Sequence, residues 1–76
     1  MEIYDFISAF AEQFEELDEN KLEPETKFRE LDGWSSLVAL SVLAMIDEKY
    51  DVQIKGEDMK RANTIQALFD LVQSKS

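Results

Sequence analysis

Gly33-Trp34-Ser35-Ser36-Leu37-Val38-Ala39-Leu40-Ser41-Val42-Leu43-Ala44-Met45-Ile46 contains no charged side chain, although the chain on either side is dense in Asp, Glu and Lys. A glycine and two adjacent serines open the stretch, and an apolar run with helical spacing follows. Serine ahead of such a run is a helix-start signal, because its hydroxyl accepts from a free backbone N–H of the first turn. The run is shorter than the roughly 20 apolar residues that span a bilayer. It therefore predicts the central helix of a small domain, over residues 36–50, with a hydroxyl displayed at its N-terminus.

On this central helix, Leu40, Leu43, Ile46 and Tyr50 form the expected inward line, flanked by Leu37 and Val42. Val38, Ser41, Met45 and Glu48 form the expected outward line. Upstream, Ile3, Phe6, Ile7, Phe10, Phe14 and Leu17 recur at spacings of three and four, and predict a first helix over residues 2–17. Its opposite side carries Glu2, Asp5, Glu12, Glu15 and Glu16. An aromatic stripe with this period reads as core packing rather than a ligand box.

Residues 18–34 form a long connection with the chain's single proline, Pro24. A loop of this length calls for a reason. Leu22, Phe28, Leu31 and Trp34 are placed to pin it to the core, and Thr26 to Leu31 is expected to form a brief helical turn.

Downstream, Asp51-Val52-Gln53-Ile54 reads as a short extended segment without a pairing partner. Residues 56–61 read as a minor helix, with acids in its first turn and bases in its last. Asn63 and Thr64 offer caps for a last helix, with Gln66 spaced from Asn63 as in a capping box. Ile65, Leu68, Phe69, Leu71 and Val72 supply its apolar side, and residues 73–76 are expected to fray. Together these elements predict one all-α domain over residues 1–76. It is a small four-helix bundle of three main helices plus one short helix, with a long first loop. Phe6, Phe10, Phe14, Leu40, Leu43, Ile46, Ile54 and Phe69 are its expected core.

Composition excludes much chemistry. The 76 residues include neither cysteine nor histidine. That removes disulfides, thiolate metal sites, the protein thiol nucleophile, the usual neutral-pH general base and the commonest metal ligand. Two widely spaced glycines make no phosphate loop, and neither Asp18-Glu19-Asn20 nor the segment from Asp47 to Asp51 completes a calcium loop. The chain is not expected to be an enzyme. With 17 acidic against 8 basic residues, the net charge of −9 repels nucleic acid and anionic membranes and favours basic protein surfaces. The acidic N-terminus, Met1-Glu2-Ile3-Tyr4-Asp5, lacks the basic region of a signal peptide and predicts a cytoplasmic location.

A serine at the head of the central helix has two uses. It caps the helix, or it accepts a phosphate-bearing group, which helix N-termini stabilise. Local features leave both open for Ser35 and Ser36.

The ordered set Phe28, Leu31-Asp32-Gly33-Trp34-Ser35-Ser36-Leu37, Leu40, Ile46, Tyr50, Val52 and Ile54 resembles the acyl carrier protein family. Asp47 to Ile54 is similar to the family's E-E-x-F-x-I-x-I segment. Glu57-Asp58 and Asn63-Thr64-Ile65 are similar to its following acidic turn and the start of its last helix. The resemblance implies a four-helix fold and a serine that carries phosphopantetheine, by which acyl groups ride as thioesters. It implies Ser36 as the attachment residue. Ser35 stands where the family has Asp, or His in peptidyl carriers. Leu31 lies five residues before Ser36, where the family has four, so Ser35 would restore that spacing. Leu37 after Ser36 keeps the helix register, which favours Ser36.

The implied partners are a phosphopantetheinyl transferase, an acyl-activating enzyme, and a ketosynthase or acyltransferase with basic docking surfaces, acting on a monomer. Where fatty-acid-synthesis carriers have acids after the serine, this chain has Val38 and Ser41. That predicts a dedicated biosynthetic pathway rather than housekeeping synthesis. Val38, Ser41 and Met45, with Asp47 and Glu48, are the expected docking residues. The alternative packing tucks Val38 under the preceding loop and seats Met45 in the core. The alternative function is an unmodified helical protein-interaction module with the carrier fold, and a weaker one is a chaperone-like or regulatory adaptor.

Overall fold

The computed structural model describes residues 2–15 and 17–75, so the readings that placed Glu16 on the first helix and Ser76 at the frayed end lie outside the described residues. Among the described residues four α-helices follow one another: α1 (Ile3–Ala11), α2 (Ser36–Tyr50), α3 (Gly56–Arg61) and α4 (Ile65–Lys75), with 3-10 turns at Glu19–Lys21 and Phe28–Glu30 in the first loop. There is no strand among the described residues. Among the described residues no helix is long and apolar enough to cross a membrane.

The core is aromatic. Phe6 and Phe10 of α1 are fully buried, as is Phe28 of the loop, and Phe14 and Phe69 are buried beside them. The Phe10 ring lies 5.6 Å from Phe14 and 5.8 Å from Phe28, and stacks on Trp34 at 6.4 Å. Phe6 meets Phe69 at 5.4 Å, which joins α1 to α4. α1 ends earlier than the expected boundary at residue 17. After Ala11 the chain tightens into i→i+3 bonds, Gln13 N–H to Phe10 O and Phe14 N–H to Ala11 O, both 3.1 Å. The Gln13 side chain donates back to Ala9 O at 3.1 Å, so the last carbonyls of α1 are satisfied without further helix. Phe14 and the half-buried Leu17, neither of them helical, still pack against the core.

The long loop is held along its middle. Phe28 pins it to the core, and its carbonyls cap α4. Ile65 N–H donates to Thr26 O at 3.1 Å and Gln66 N–H to Pro24 O at 2.8 Å. These are N–H groups that a helix start leaves without an internal acceptor. The expected capping box does not form. Thr64 caps α4 instead, accepting from Ala67 N–H at 3.1 Å, while Asn63 is bonded to Arg29 and Gln66 to Asp70. Residues 73–75, expected to fray, are helical.

α2 has the expected boundaries, but its buried face differs from the expected one. Val42, Met45 and Ile46 are buried, whereas Leu40 is 63% and Leu37 74% exposed. Leu43 is only half-buried. Apolar residues lie on nearly every side of this helix, so periodicity gives little contrast, and the aromatic core selects which side packs. Asp51 ends α2 in the left-handed region at φ 55°, its N–H returning to Asp47 O. The extended segment then alternates as expected, with Val52 and Ile54 buried.

Tyr50, half-buried at the end of α2, packs on Phe6 at 5.8 Å. Burial pushes its phenol above the ordinary value, and the Asp5 carboxylate pushes the same way. A phenol that holds its proton more firmly when folded contributes stability that is intact below its unfolded pKa of about 10. That contribution is lost as pH rises through the higher folded value. The melting temperature is therefore expected to fall more steeply above pH 10 in the parent than in Tyr50→Phe. Parallel alkaline melting curves would remove Tyr50 as the cause.

Candidate functional site

The loop delivers two serines to the start of α2 through a sharp turn. Trp34 N–H bonds Leu31 O at 3.1 Å, and Gly33 inside that turn has φ +89°. That conformation favours glycine. A Cβ there would meet Phe14 at an ordinary 3.6 Å, so the demand is backbone conformation and not space. The Trp34 ring is pinned 5.1 Å from Phe28 and 6.2 Å from Phe14. The residues after it therefore emerge from a fixed point on the core.

The two serines then take different places. Ser35 is extended, and its Oγ accepts from Val38 N–H at 3.2 Å, with Ala39 N–H on its carbonyl at 2.9 Å. It is the N-cap. Ser36 is the first helical residue, exposed, and its hydroxyl makes no hydrogen bond among the described residues. The first turn of α2 carries no acidic residue. A phosphate on Ser36 Oγ would sit at the positive end of the helix dipole without a neighbouring first-turn carboxylate to repel it. The chain's own residues thus fit a phosphodiester at Ser36 and occupy Ser35 in capping.

Two open grooves flank this point. One, about 570 Å³, lies between α2 and α3 and is lined by Trp34, Ser36, Ala39, Leu40, Leu43 and Met59, with Arg29 and Lys60 also contributing. The other, about 640 Å³, lies between the end of α1 and the start of α2, and is lined by Gln13, Phe14, Leu17, Asp32, Ser35, Leu37, Val38 and Ser41.

The expected docking residues are not brought together on one outward line. Asp47 and Glu48 are exposed, but Val38 and Ser41 are half-buried in the second groove. Met45, at 5% exposure, is part of the core. Its placement on the outward face is corrected, because the side of α2 bearing Val42, Met45 and Ile46 is the one the core covers. The outward line runs instead through Leu37, Leu40, Ala44, Asp47 and Glu48. Asp47 and Glu48 were the signal for it: counting back from them by three and four reaches Ala44, Leu40 and Leu37.

The family model described as "phosphopantetheine attachment site" matches residues 5–72. The acyl carrier protein of Chlorobium phaeobacteroides is 29% identical over 59 residues, covering 78% of this chain and 76% of that protein. The acyl carrier protein of Buchnera aphidicola from Acyrthosiphon pisum is 29% identical over 65 residues, covering 83% of this chain and 81% of that protein.

Proposed function

The chain belongs to the acyl carrier protein family, and on that premise we propose that it carries acyl intermediates on a phosphopantetheine arm attached to Ser36. It is a carrier and not a catalyst. The bound arm supplies the thiol that forms the thioester, so the lack of cysteine is no obstacle. The observation that carries the choice of residue is the division of labour between the serines. Ser35 Oγ is committed to Val38 N–H, while the Ser36 hydroxyl stands exposed at the first helical position. The groove between α2 and α3 opens beside that hydroxyl and suits the apolar part of a short acyl chain. Tethering raises the concentration of cargo at a docked enzyme.

The acid-free first turn of α2 and the exposed Leu37 and Leu40 support a dedicated biosynthetic role rather than housekeeping synthesis. Intact mass after incubation with a broad-specificity phosphopantetheinyl transferase and coenzyme A tests the reading. One phosphopantetheine per chain is expected. An unchanged mass would overturn it in favour of the unmodified interaction module.

Leu37 and Leu40 form the apolar half of the docking surface for transferase, acyl-activating enzyme and ketosynthase or acyltransferase, and Asp47 and Glu48 form its acidic half. Leu37→Ala and Leu40→Ala are expected to lower cargo transfer about tenfold each, mainly through faster dissociation, without changing the melting temperature. Asp47→Asn with Glu48→Gln is expected to slow association at low salt and much less at high salt. Met45→Ala is expected to destabilise by about 2–5 kcal/mol. Normal transfer by both leucine variants would remove α2 as the docking face.

A further inference from the structure

α3 is a six-residue helix, and Met59 is its one buried side chain. So short a helix with so little apolar anchorage needs other ties to stay seated. Most of them come from one residue of the first loop. Arg29 Nη1 donates to Met59 O at 2.8 Å and to Ala62 O at 2.9 Å, and its Nη2 donates to Asn63 Oδ1 at 2.7 Å. Met59 O is among the last four carbonyls of α3, and Ala62 is its C-cap. These are the acceptors that a helix end leaves unmatched and that a cation satisfies best. The other polar ties are weaker: Asp58 accepts from Lys55 N–H at 3.2 Å, and Lys75 stands 3.8 Å from Asp58 at the surface.

The other end of this link is rigid. Phe28, next to Arg29, is fully buried among Phe10 and Trp34, and the guanidinium carbon lies 5.4 Å from the Phe28 ring centroid. Arg29 therefore joins a fixed part of the core to a loosely seated helix. That helix is one wall of the groove beside Ser36, through Gly56, Met59 and Lys60, and Arg29 itself lies at the rim.

We propose that Arg29 is a clasp that holds α3 against α2 and so sets how tightly the groove beside Ser36 shuts over acyl cargo. Arg29 is a positioning residue in this role, and the cargo half of the proposal rests on the carrier reading of Ser36. With the clasp fastened, α3 covers an acyl chain long enough to enter the groove. With it released, the wall swings away and the thioester meets solvent and partner enzymes. Lysine is no substitute, because one ammonium cannot reproduce the planar fork that serves three acceptors.

The test has two readouts. In the protein without its arm, hydrogen exchange of residues 59–62 is compared between the parent, Arg29→Met and Arg29→Lys. Exchange is expected to rise about tenfold or more in Arg29→Met, the scale of one lost charge-assisted hydrogen bond, and less in Arg29→Lys. In the loaded protein, hydroxylamine cleavage of an octanoyl thioester is compared with that of an acetyl thioester, which is too short to reach the groove. Arg29→Met is expected to cleave the octanoyl thioester several-fold faster and the acetyl thioester at the parent's rate. Unchanged exchange in α3 would overturn the clasp. Faster exchange with unchanged octanoyl cleavage would reduce Arg29 to a brace for the helix. Equal acceleration of both thioesters would mean general loosening. If Arg29→Met fails to fold by circular dichroism, Arg29→Lys and Asn63→Ala, which removes one acceptor, carry the comparison. A failure of the carrier reading is visible separately, as a parent protein that gains no mass before any cargo is loaded.

Discussion

Ser36→Ala is expected to abolish phosphopantetheine attachment completely, while Ser35→Ala is expected to retain it and to lose about 1 kcal/mol of stability. The two serines are adjacent and chemically identical, so the contrast depends wholly on their places in α2. The Ser35 hydroxyl accepts from Val38 N–H; removing it leaves that N–H to solvent and weakens the helix start without touching the next residue. The Ser36 hydroxyl has no hydrogen bond to lose among the described residues, so Ser36→Ala is expected to melt within about 0.5 kcal/mol of the parent. Intact mass after transferase treatment reads the first property, and urea unfolding reads the second. The opposite pattern, with modification lost in Ser35→Ala and kept in Ser36→Ala, would move the attachment site by one residue.

Phe10→Ala is expected to cost about 3–5 kcal/mol, and Ile46→Ala about 2–5 kcal/mol. A domain of this length holds only about 4–11 kcal/mol in all, so either change is expected to leave a substantial unfolded population. Phe10 carries the larger effect because it is fully buried and its ring touches Phe6, Phe14, Phe28 and Trp34 at 5.6–6.5 Å. It thus ties α1 to both ends of the first loop and, through Trp34, to the turn that presents Ser36. Leu40→Ala is the informative control. At 63% exposure it is expected to cost less than about 0.5 kcal/mol. Urea midpoints for the three variants decide the matter, and a Leu40→Ala loss as large as that of Ile46→Ala would return Leu40 to the core.

The all-helical class, the limits of α2 and α3, the short extended segment and Phe6, Phe10 and Phe69 in the core were legible in the sequence. These rest on local rules: apolar spacing along α1 and α4, serines before an apolar run, acids and then bases along α3. The serine pair at the head of α2 was legible for the same reason. The choice of α2's buried face was not. Its apolar residues nearly encircle the helix, so a pattern read along the chain cannot tell Leu40 from Met45. The choice belongs to the aromatic cluster that α1, Phe28 and Trp34 build against one side of it. The early end of α1 was hidden likewise, since Phe14 keeps its contact with the core through a non-helical turn that preserves apolar spacing. Arg29 is the clearest case. In the sequence it is one charged residue in a polar loop; in the fold it bonds atoms of residues 59, 62 and 63. Contacts across thirty residues or more depend on where the chain returns. Local propensity and periodicity carry no term for that, and only the packed tertiary structure decides it.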